Sequence, residues 1–499
     1  MTTLLWLRDD LRLLDHEALT AACDDGGDVV ALWIREEIPG GEPDEDTEEL
    51  DDVPDAQDLD LDDAATHSRR LGPRPLGAAT RWWYHRSLEE LSERLHEELG
   101  IRLVFARGDA RQIVPALAAA LEAETVRWSR RYAPGARVLD AQVKAALSAA
   151  GCEAHSHTGA LLVEPWAVQT GAGSHYKVFT PFHKAAAQHD VGPTLPVPEA
   201  PTSTEADGVG KALEAARESG LICELAELEL LDTRPEWWRT TIAEHWEPGE
   251  RAAAAQLEDL DVALGGYQDD RDIPGDREST SGMSPRLRSG EISPRSLWHA
   301  ARSSSVADAD RAAWIRQLYW REFSWHVTYH EPDLDVRPLR GEYAAFPYEP
   351  DEKAQRAWQR GHTGIHLVDA GMRQLWLSGW MHNRVRMAVA SLFTKNLLQP
   401  WWDGEAWFWD TLVDADEANN PVSWQWVAGS GADASPYFRI FNPDTQAKKF
   451  DPDAVYVTRW LPEAQDPGSE YPHDPLVDLR ESRAAALEAY EEVKAAKGD

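Results

Sequence analysis

Through the first third of the chain, short apolar runs alternate with amphipathic stretches, the pattern of a parallel sheet covered by helices. The runs predict strands at Thr3–Leu7, Val29–Arg35, Arg102–Ala106 and Thr125–Ser129, with a weaker one at Glu153–His157. Leu88, Leu91, Leu95 and Leu99 recur at helical spacing and predict a helix packed on that sheet. Pro39–Asp63 is crowded with Asp and Glu and reads as a solvated loop. Val191–Thr204 is rich in proline and poor in large apolar residues, which suits a connector. Past Lys211 the periodicity is helical, with long amphipathic runs over Arg311–His330 and Asp369–Leu398. After Pro475 the segment is short and only weakly helical in pattern. The expected fold is an α/β N-terminal domain with a parallel Rossmann-like sheet (1–165), a connector (166–212) and an all-α C-terminal domain (213–499).

A chain of 499 residues exceeds what one core usually organises, which agrees with two domains. Cys23, Cys152 and Cys223 are scattered, which argues against a disulfide framework or a zinc site, and no metal is expected. Arg8, Asp9, Asp10 and Arg12 interrupt the amino terminus, and no run of about 18 apolar residues occurs, so a cytoplasmic protein without membrane contact is expected. The formal net charge of -37 opposes a polyanionic partner. Read as a solvated coat suited to high salt, the acidity loses that force. At molar salt the Debye length falls to about 3 Å, so distant carboxylates barely repel DNA. Phosphate contacts then contribute little either, and affinity has to come from a shaped, desolvated pocket.

Three segments of the helical half carry candidate chemistry. Helical geometry puts Trp314, Gln317 and Arg321 on one face at i, i+3 and i+7. The same spacing aligns Trp380, Asn383, Arg384 and Met387, with Arg386 on a neighbouring face. Asp414, Asp416, Asn419 and Asn420 precede Trp424-Gln425-Trp426. Polar groups in apolar helices are costly unless they meet a ligand or each other, so Arg321 or Arg386 is expected to pair with Asp414 or Asp416. The chain has 23 tryptophans, and the group Trp376, Trp380, Trp401, Trp402, Trp407, Trp409, Trp424 and Trp426 near these motifs suits stacking on a planar ligand or electron hopping.

From Leu4-Leu5-Trp6-Leu7-Arg8-Asp9-Asp10-Leu11-Arg12 through to Trp460-Leu461-Pro462-Glu463 the chain resembles the photolyase and cryptochrome family. The most specific stretch runs from Trp424 to Pro443 and includes Gly431-Ala432-Asp433-Ala434-Ser435-Pro436-Tyr437-Phe438-Arg439-Ile440-Phe441-Asn442-Pro443. The resemblance implies a folded FAD in the helical domain, with Tyr267, Thr280, Ser281 and Ser284 at its diphosphate. Trp314, Gln317, Arg321, Asn383, Arg386, Asp414, Asp416 and Asn420 would line the rest, and Asn420 falls at the place facing flavin N5. Plant cryptochromes carry Asp there.

The implied activity is light-driven repair of cyclobutane pyrimidine dimers in UV-damaged DNA by a monomer. In that reading Trp320 and Trp426 flank the dimer, Asn383 and Met387 contact it, and Arg271 and Arg384 hold flanking phosphates. Trp424 and Trp401 match the first two members of a tryptophan relay. Three positions depart from the pattern. Tyr348 stands third in the relay where many relatives have Trp, which turns attention to Trp376 or Trp402; Gln317 replaces a Glu common in dimer-repair enzymes; and Thr280-Ser281-Gly282-Met283-Ser284 lacks the usual basic residue. The rival reading is a cryptochrome-like photoreceptor without repair. Repair of the (6-4) photoproduct typically goes with two adjacent histidines where this chain has His382-Asn383. The resemblance also implies a second antenna chromophore, a folate or a deazaflavin, in a crevice beside the amino-terminal sheet.

Overall fold

The computed structural model describes residues 2–37, 72–202, 206–231, 237–276, 279–434, 438–466, 468–472 and 474–497; the acidic stretch Pro39–Asp63 lies outside the described residues. The chain opens with β1 (Thr2–Leu7), α1 (Glu17–Asp24), β2 (Asp28–Glu36), α2 (Ala78–Leu99), β3 (Arg102–Gly108), α3 (Ala110–Ala120), β4 (Thr125–Ser129), α4 (Pro134–Ala149) and β5 (Glu153–His157). The five strands form one all-parallel sheet in the order β3-β2-β1-β4-β5. Leu4 of the central β1 pairs with Val30 on one side and Val126 on the other. β1 and β2 read as nearly unbroken apolar runs because both faces are covered, whereas the edge strand β5 has no buried residue. Leu4, Trp6, Leu32 and Val126 enter one core layer, and Leu5, Leu7, Ala31 and Trp33 enter the other. α2 buries Leu88, Leu91, Leu95 and Leu99 in that second layer, each worth roughly 1.5–3 kcal/mol relative to exposure.

The passage into the helical half is interleaved. α5 (Phe179–Ala186) sends Phe179 and Phe182 into the core of Trp314, Leu318 and Phe323, whereas α6 (Ala206–Glu218) returns to the sheet, where Leu213 and Ala216 pack with Leu4. The helices that build the site follow: α7 (Ser284–Ser289), α8 (Asp308–His330), α9 (His366–Ser378), α10 (Asn383–Ser391), α11 (Trp401–Thr411), α12 (Asn419–Ala428) and α13 (Leu479–Ala496).

Two expectations are corrected. Asp369–Leu398 is not one helix, because Gly379 at φ 66° closes α9 and His382 restarts the chain by accepting the Arg384 N–H at its Nδ1, 3.2 Å away. Trp380 sits in that break and does not share a helical face with Asn383, Arg384 and Met387. The segment after Pro475 holds α13, an 18-residue helix. It packs beside Tyr343 and Phe346 through Ala486, Ala489 and Val493, small residues that leave a faint hydrophobic stripe.

The exit from β1 is bolted to the helical half by charge and backbone. Asp9 meets Arg288 at 2.9 Å, Asp15 meets Arg295 at 2.6 Å, and Glu250 accepts the Leu13 and Leu14 N–H groups at 2.7 and 2.9 Å. Gly290, at φ 72°, lies so close to this segment that a Cβ would sit 2.0 Å from the Asp9 carbonyl oxygen. Among the described residues no helix is long and apolar enough to cross a membrane.

Candidate functional site

Asp414, just ahead of α12, is the hub of the site. Its carboxylate accepts from Arg386 Nη1 and Nη2 at 3.1 and 2.8 Å and from the Ser284 hydroxyl at 2.6 Å. The Trp380 indole N–H donates to the same hydroxyl at 3.3 Å. Arg386 Nε donates to the Met381 carbonyl at 2.7 Å, which fixes the plane of the guanidinium. Of the pairings expected from the sequence, Arg386 with Asp414 is the one formed. Arg321 instead donates to the Ala160 carbonyl at 3.0 Å and to Glu322 at 3.3 Å, and Asp416 accepts from the backbone N–H of Ala418 and the side chain of Asn419 at 2.9 and 2.7 Å. Nearby, Trp314 donates to the Ser281 hydroxyl at 3.3 Å, while Gln317 turns its amide N–H back to the Ala313 carbonyl of its own helix at 3.0 Å. Thr280 and Ser281 are half-buried, Ser284 is exposed and Tyr267 is buried.

His382 controls the start of α10, which carries Asn383, Arg384, Arg386 and Met387. Its capping role requires an unprotonated Nδ1, and burial pushes its pKa down to about 4. In the unfolded chain the ring takes up a proton near pH 6.5. The stability it contributes is therefore complete above about pH 6.5 and is lost as pH falls towards 4. The thermal midpoint is expected to drop through that window, and His382→Asn, which caps without titrating, to flatten the slope when melting curves are compared.

Asn420, buried on α12, donates its amide N–H to Glu405 Oε1 at 2.6 Å and to the Glu405 carbonyl at 3.1 Å. Glu405 in turn is clamped by Arg74, Nη1 to Oε1 at 2.6 Å and Nη2 to Oε2 at 3.0 Å. Neither Glu405 nor Arg74 stood out in the sequence. A signal did exist: Glu405 shares the buried face of α11 with Trp401 and Trp409 at four-residue spacing, and a lone carboxylate on such a face demands a partner.

Two indoles are presented on aromatic backing. Trp320 stacks on Phe179 with centroids 3.6 Å apart and planes at 6°, and Trp426 lies over Phe441 at 6.0 Å and 21°. Both remain half-buried rather than buried. Asn383 and Met387 are one turn apart on α10, amide nitrogen to sulfur 4.0 Å, with Asn383 exposed. Arg271 is half-buried beside the Tyr267 ring. Arg384 is already engaged, ion-paired with Asp272 and placed 4.4 Å over the Phe450 ring.

A separate run of aromatics leads outward. Trp424 is buried among Trp358, Phe393 and Phe408, and Gly404 makes room for it, since a Cβ there would lie 2.3 Å from the indole. Trp401 is fully buried and contacts Trp402 at 5.8 Å, and Trp402 contacts Tyr348 at 5.2 Å. Trp402 is 40% exposed, whereas burial raises the Tyr348 phenol above its ordinary pKa. Trp376 belongs to another stack, lying between Trp238 at 5.0 Å and Trp407 at 6.0 Å.

The carboxyl ends of β1 and β4, neighbours in the sheet but distant in sequence, form the switch point at which open α/β sheets bind ligands. The crevice there is lined by Arg8, Asp10, Ser129, Arg131, Arg321 and Asp416 among others. The structure thus separates Arg321 and Asp416, which face this crevice, from the Arg386–Asp414 hub.

The donor set around that hub fits FAD. Hydroxyls of Thr280, Ser281 and Ser284 suit phosphate oxygens, the indoles of Trp314 and Trp380 suit a planar ring, and Asn420 keeps an acceptor oxygen for a ring N–H. The family model described as DNA photolyase matches residues 3–202, and that described as the FAD binding domain of DNA photolyase matches residues 314–492. The deoxyribodipyrimidine photo-lyase of Agrobacterium fabrum is 40% identical over 516 residues, covering 98% of this chain and 98% of that protein. The crystal structure of a bacterial class III photolyase from Agrobacterium tumefaciens matches with a TM-score of 0.85 and 39% identity, covering 99% of this chain and 98% of that one. Cryptochrome-1 of Arabidopsis thaliana is 31% identical over 95% of this chain and 64% of its own length.

Proposed function

The chain belongs to the DNA photolyase family, and on that footing we propose that it is a cytoplasmic, monomeric, FAD-dependent enzyme that splits cyclobutane pyrimidine dimers in UV-damaged DNA with light. The observation that carries the reading is the hub in which Arg386 and Ser284 meet Asp414 and Trp380 meets Ser284, with Trp380, Arg386 and Asp414 inside the region 314–492 that matches the family's FAD binding domain. When bound, FAD supplies a light-absorbing electron donor for cleavage of the cyclobutane ring. Tyr267, Thr280, Ser281 and Ser284 would hold its diphosphate, and Trp314, Gln317, Asn383, Arg386, Asp414 and Asn420 the remainder. Arg321 and Asp416 line instead the crevice at the carboxyl ends of β1 and β4, where a folate or deazaflavin antenna would sit.

Trp320 and Trp426 offer stacking faces to bases taken out of the duplex, and the stiff aromatic backing behind each holds the face in place without ligand. Asn383 adds amide hydrogen bonds and Met387 a polarizable thioether at the same edge. Arg271 and Arg384 meet the flanking phosphates, with Arg384 shared between Asp272 and the DNA. Recharging needs electrons from a reductant dissolved outside the protein, such as a thiol, and Trp424, Trp401 and Trp402 lead from the buried core to the surface. Trp402 is the better outer terminus than Tyr348, because an indole at the surface can be oxidised without first losing a proton, whereas the half-buried phenol holds its proton more tightly than a free one. Trp402→Phe is therefore expected to slow light-driven flavin reduction more than Tyr348→Phe does, and time-resolved absorbance compares the two.

The reading is tested by purifying the protein and measuring its flavin content and its affinity for an oligonucleotide with one thymine dimer against the undamaged strand. A yellow protein that prefers the damaged strand supports it. Colourless protein, or equal affinity for the two strands, refutes it.

A further inference from the structure

We propose that Lys395 and Ser391 are positioning residues for the lesion, because together they pin the segment 438–441, whose last ring backs Trp426; the inference rests on the reading above in which Trp426 stacks on a base. Residues 438–441 belong to neither a helix nor a strand, and among the described residues they make no backbone–backbone hydrogen bond. A backbone without such a ladder is placed by the side chains that take up its polar groups. Two do so here. Ser391, the last residue of α10, accepts the Phe441 N–H at its hydroxyl, 2.9 Å away. Lys395, on the π-helical turn Leu392–Asn396 that follows, donates from Nζ to the Arg439 carbonyl. Both pins are buried, Ser391 at 0% and Lys395 at 1% exposure.

Lysine is a costly residue in so dry a place. Among the described residues no carboxylate pairs with Lys395, and burial, reinforced by the positive charge of Arg439, pushes its pKa down to about 7. A neutral amine still has N–H bonds to give, so the tie to the Arg439 carbonyl is open to either form. The Phe438 ring centre lies 4.3 Å from Nζ, and that ring is stacked on Tyr490 of α13 with centroids 4.5 Å apart and planes at 8°. The amine thus fixes the start of the segment through a ring and a carbonyl, and Ser391 fixes its end at Phe441. Phe441 stands 6.0 Å from the Trp426 ring at 21°. Slack in the segment would let the Phe441 ring withdraw, and Trp426 would lose the backing that holds its face. Lys395 and Ser391 are too buried to meet DNA themselves and act through Phe441 and Trp426.

The test is a double-mutant comparison, since two residues that act through one contact are not additive whereas independent ones are. The preference for an oligonucleotide with one thymine dimer over the undamaged strand is measured for Lys395→Met, which keeps the unbranched chain and removes the amine, and flavin content is read on the same samples. The expected result is full flavin with the preference reduced about tenfold. In a Trp426→Ala background the same substitution is expected to change the preference less than twofold, and in a Trp320→Ala background to keep its tenfold effect, which shows that a further loss is still measurable in a weakened protein. Ser391→Ala, a milder change, is expected to lower the preference about threefold and to lose that effect in the Trp426→Ala background. Wild-type preference in Lys395→Met overturns the proposal, as does a tenfold loss that persists without Trp426. Should Lys395→Met be recovered without flavin, Ser391→Ala decides by the same comparison, and wild-type preference there overturns it. If Trp426→Ala alone prefers the damaged strand as strongly as wild type, the lesion site fails instead of the inference built on it.

Discussion

Removing Trp320 and Trp426 together is expected to abolish preferential binding of dimer-containing DNA while leaving the flavin in place. Stacking of a base on an aromatic side chain is worth about 1–3 kcal/mol by alanine substitution, so each single variant should weaken lesion affinity by about 5- to 150-fold. The indoles sit on different helices, α8 and α12, and rest on different partners, Phe179 and Phe441. Their effects should accordingly multiply in the double variant. Titration of a labelled oligonucleotide, with flavin absorbance read on the same samples, checks the result. Loss of flavin in step with lesion affinity would mean that the two indoles hold the core together instead of meeting DNA.

Arg386→Ala carries the second large effect. The Asp414 side chain is 3% exposed, and the variant takes away both guanidinium bonds, leaving the Ser284 hydroxyl as a donor to a buried charge. Breaking a buried pair from one side costs about 3–5 kcal/mol, because the remaining charge is neither hydrated nor paired. The Met381 carbonyl, one residue before the His382 cap, loses its donor from the same guanidinium. A markedly lower thermal midpoint and protein purified without flavin are expected. Arg386→Lys restores the charge but not the fork, and should fall between alanine and wild type. An unchanged midpoint with full flavin content would remove Asp414 from the centre of the site.

What the sequence discloses is governed by the range of the interaction that decides each feature. β1 and β2 were legible because burial on both faces leaves mostly Val, Leu, Ala, Ile and Trp in them, the edge strand β5 read only weakly because none of its residues is buried, and α2 was legible because Leu88, Leu91, Leu95 and Leu99 repeat locally. Asp414 and Arg386 stood out as polar residues in apolar surroundings, yet which of Arg321 and Arg386 meets which aspartate depends on how α8, α10 and the start of α12 are stacked. The break at Gly379 was hidden because the residues on either side keep helical periodicity, and only the left-handed glycine and the His382 cap reveal it. Arg74 and Glu405 are 331 positions apart and no local pattern links them. Of the proposed relay, Trp401 and Trp424 follow from the resemblance, whereas preferring Trp402 to Tyr348 needed their relative exposure.

The most direct test of the account is dimer repair itself. Purified protein with reduced flavin is mixed with an oligonucleotide containing one thymine dimer, at low and at multimolar salt, and illuminated with blue light or kept dark. The dimer is expected to disappear under illumination and to persist in the dark. Dimers left intact under light at both salt concentrations, in protein that holds reduced flavin, would contradict it and favour a photoreceptor.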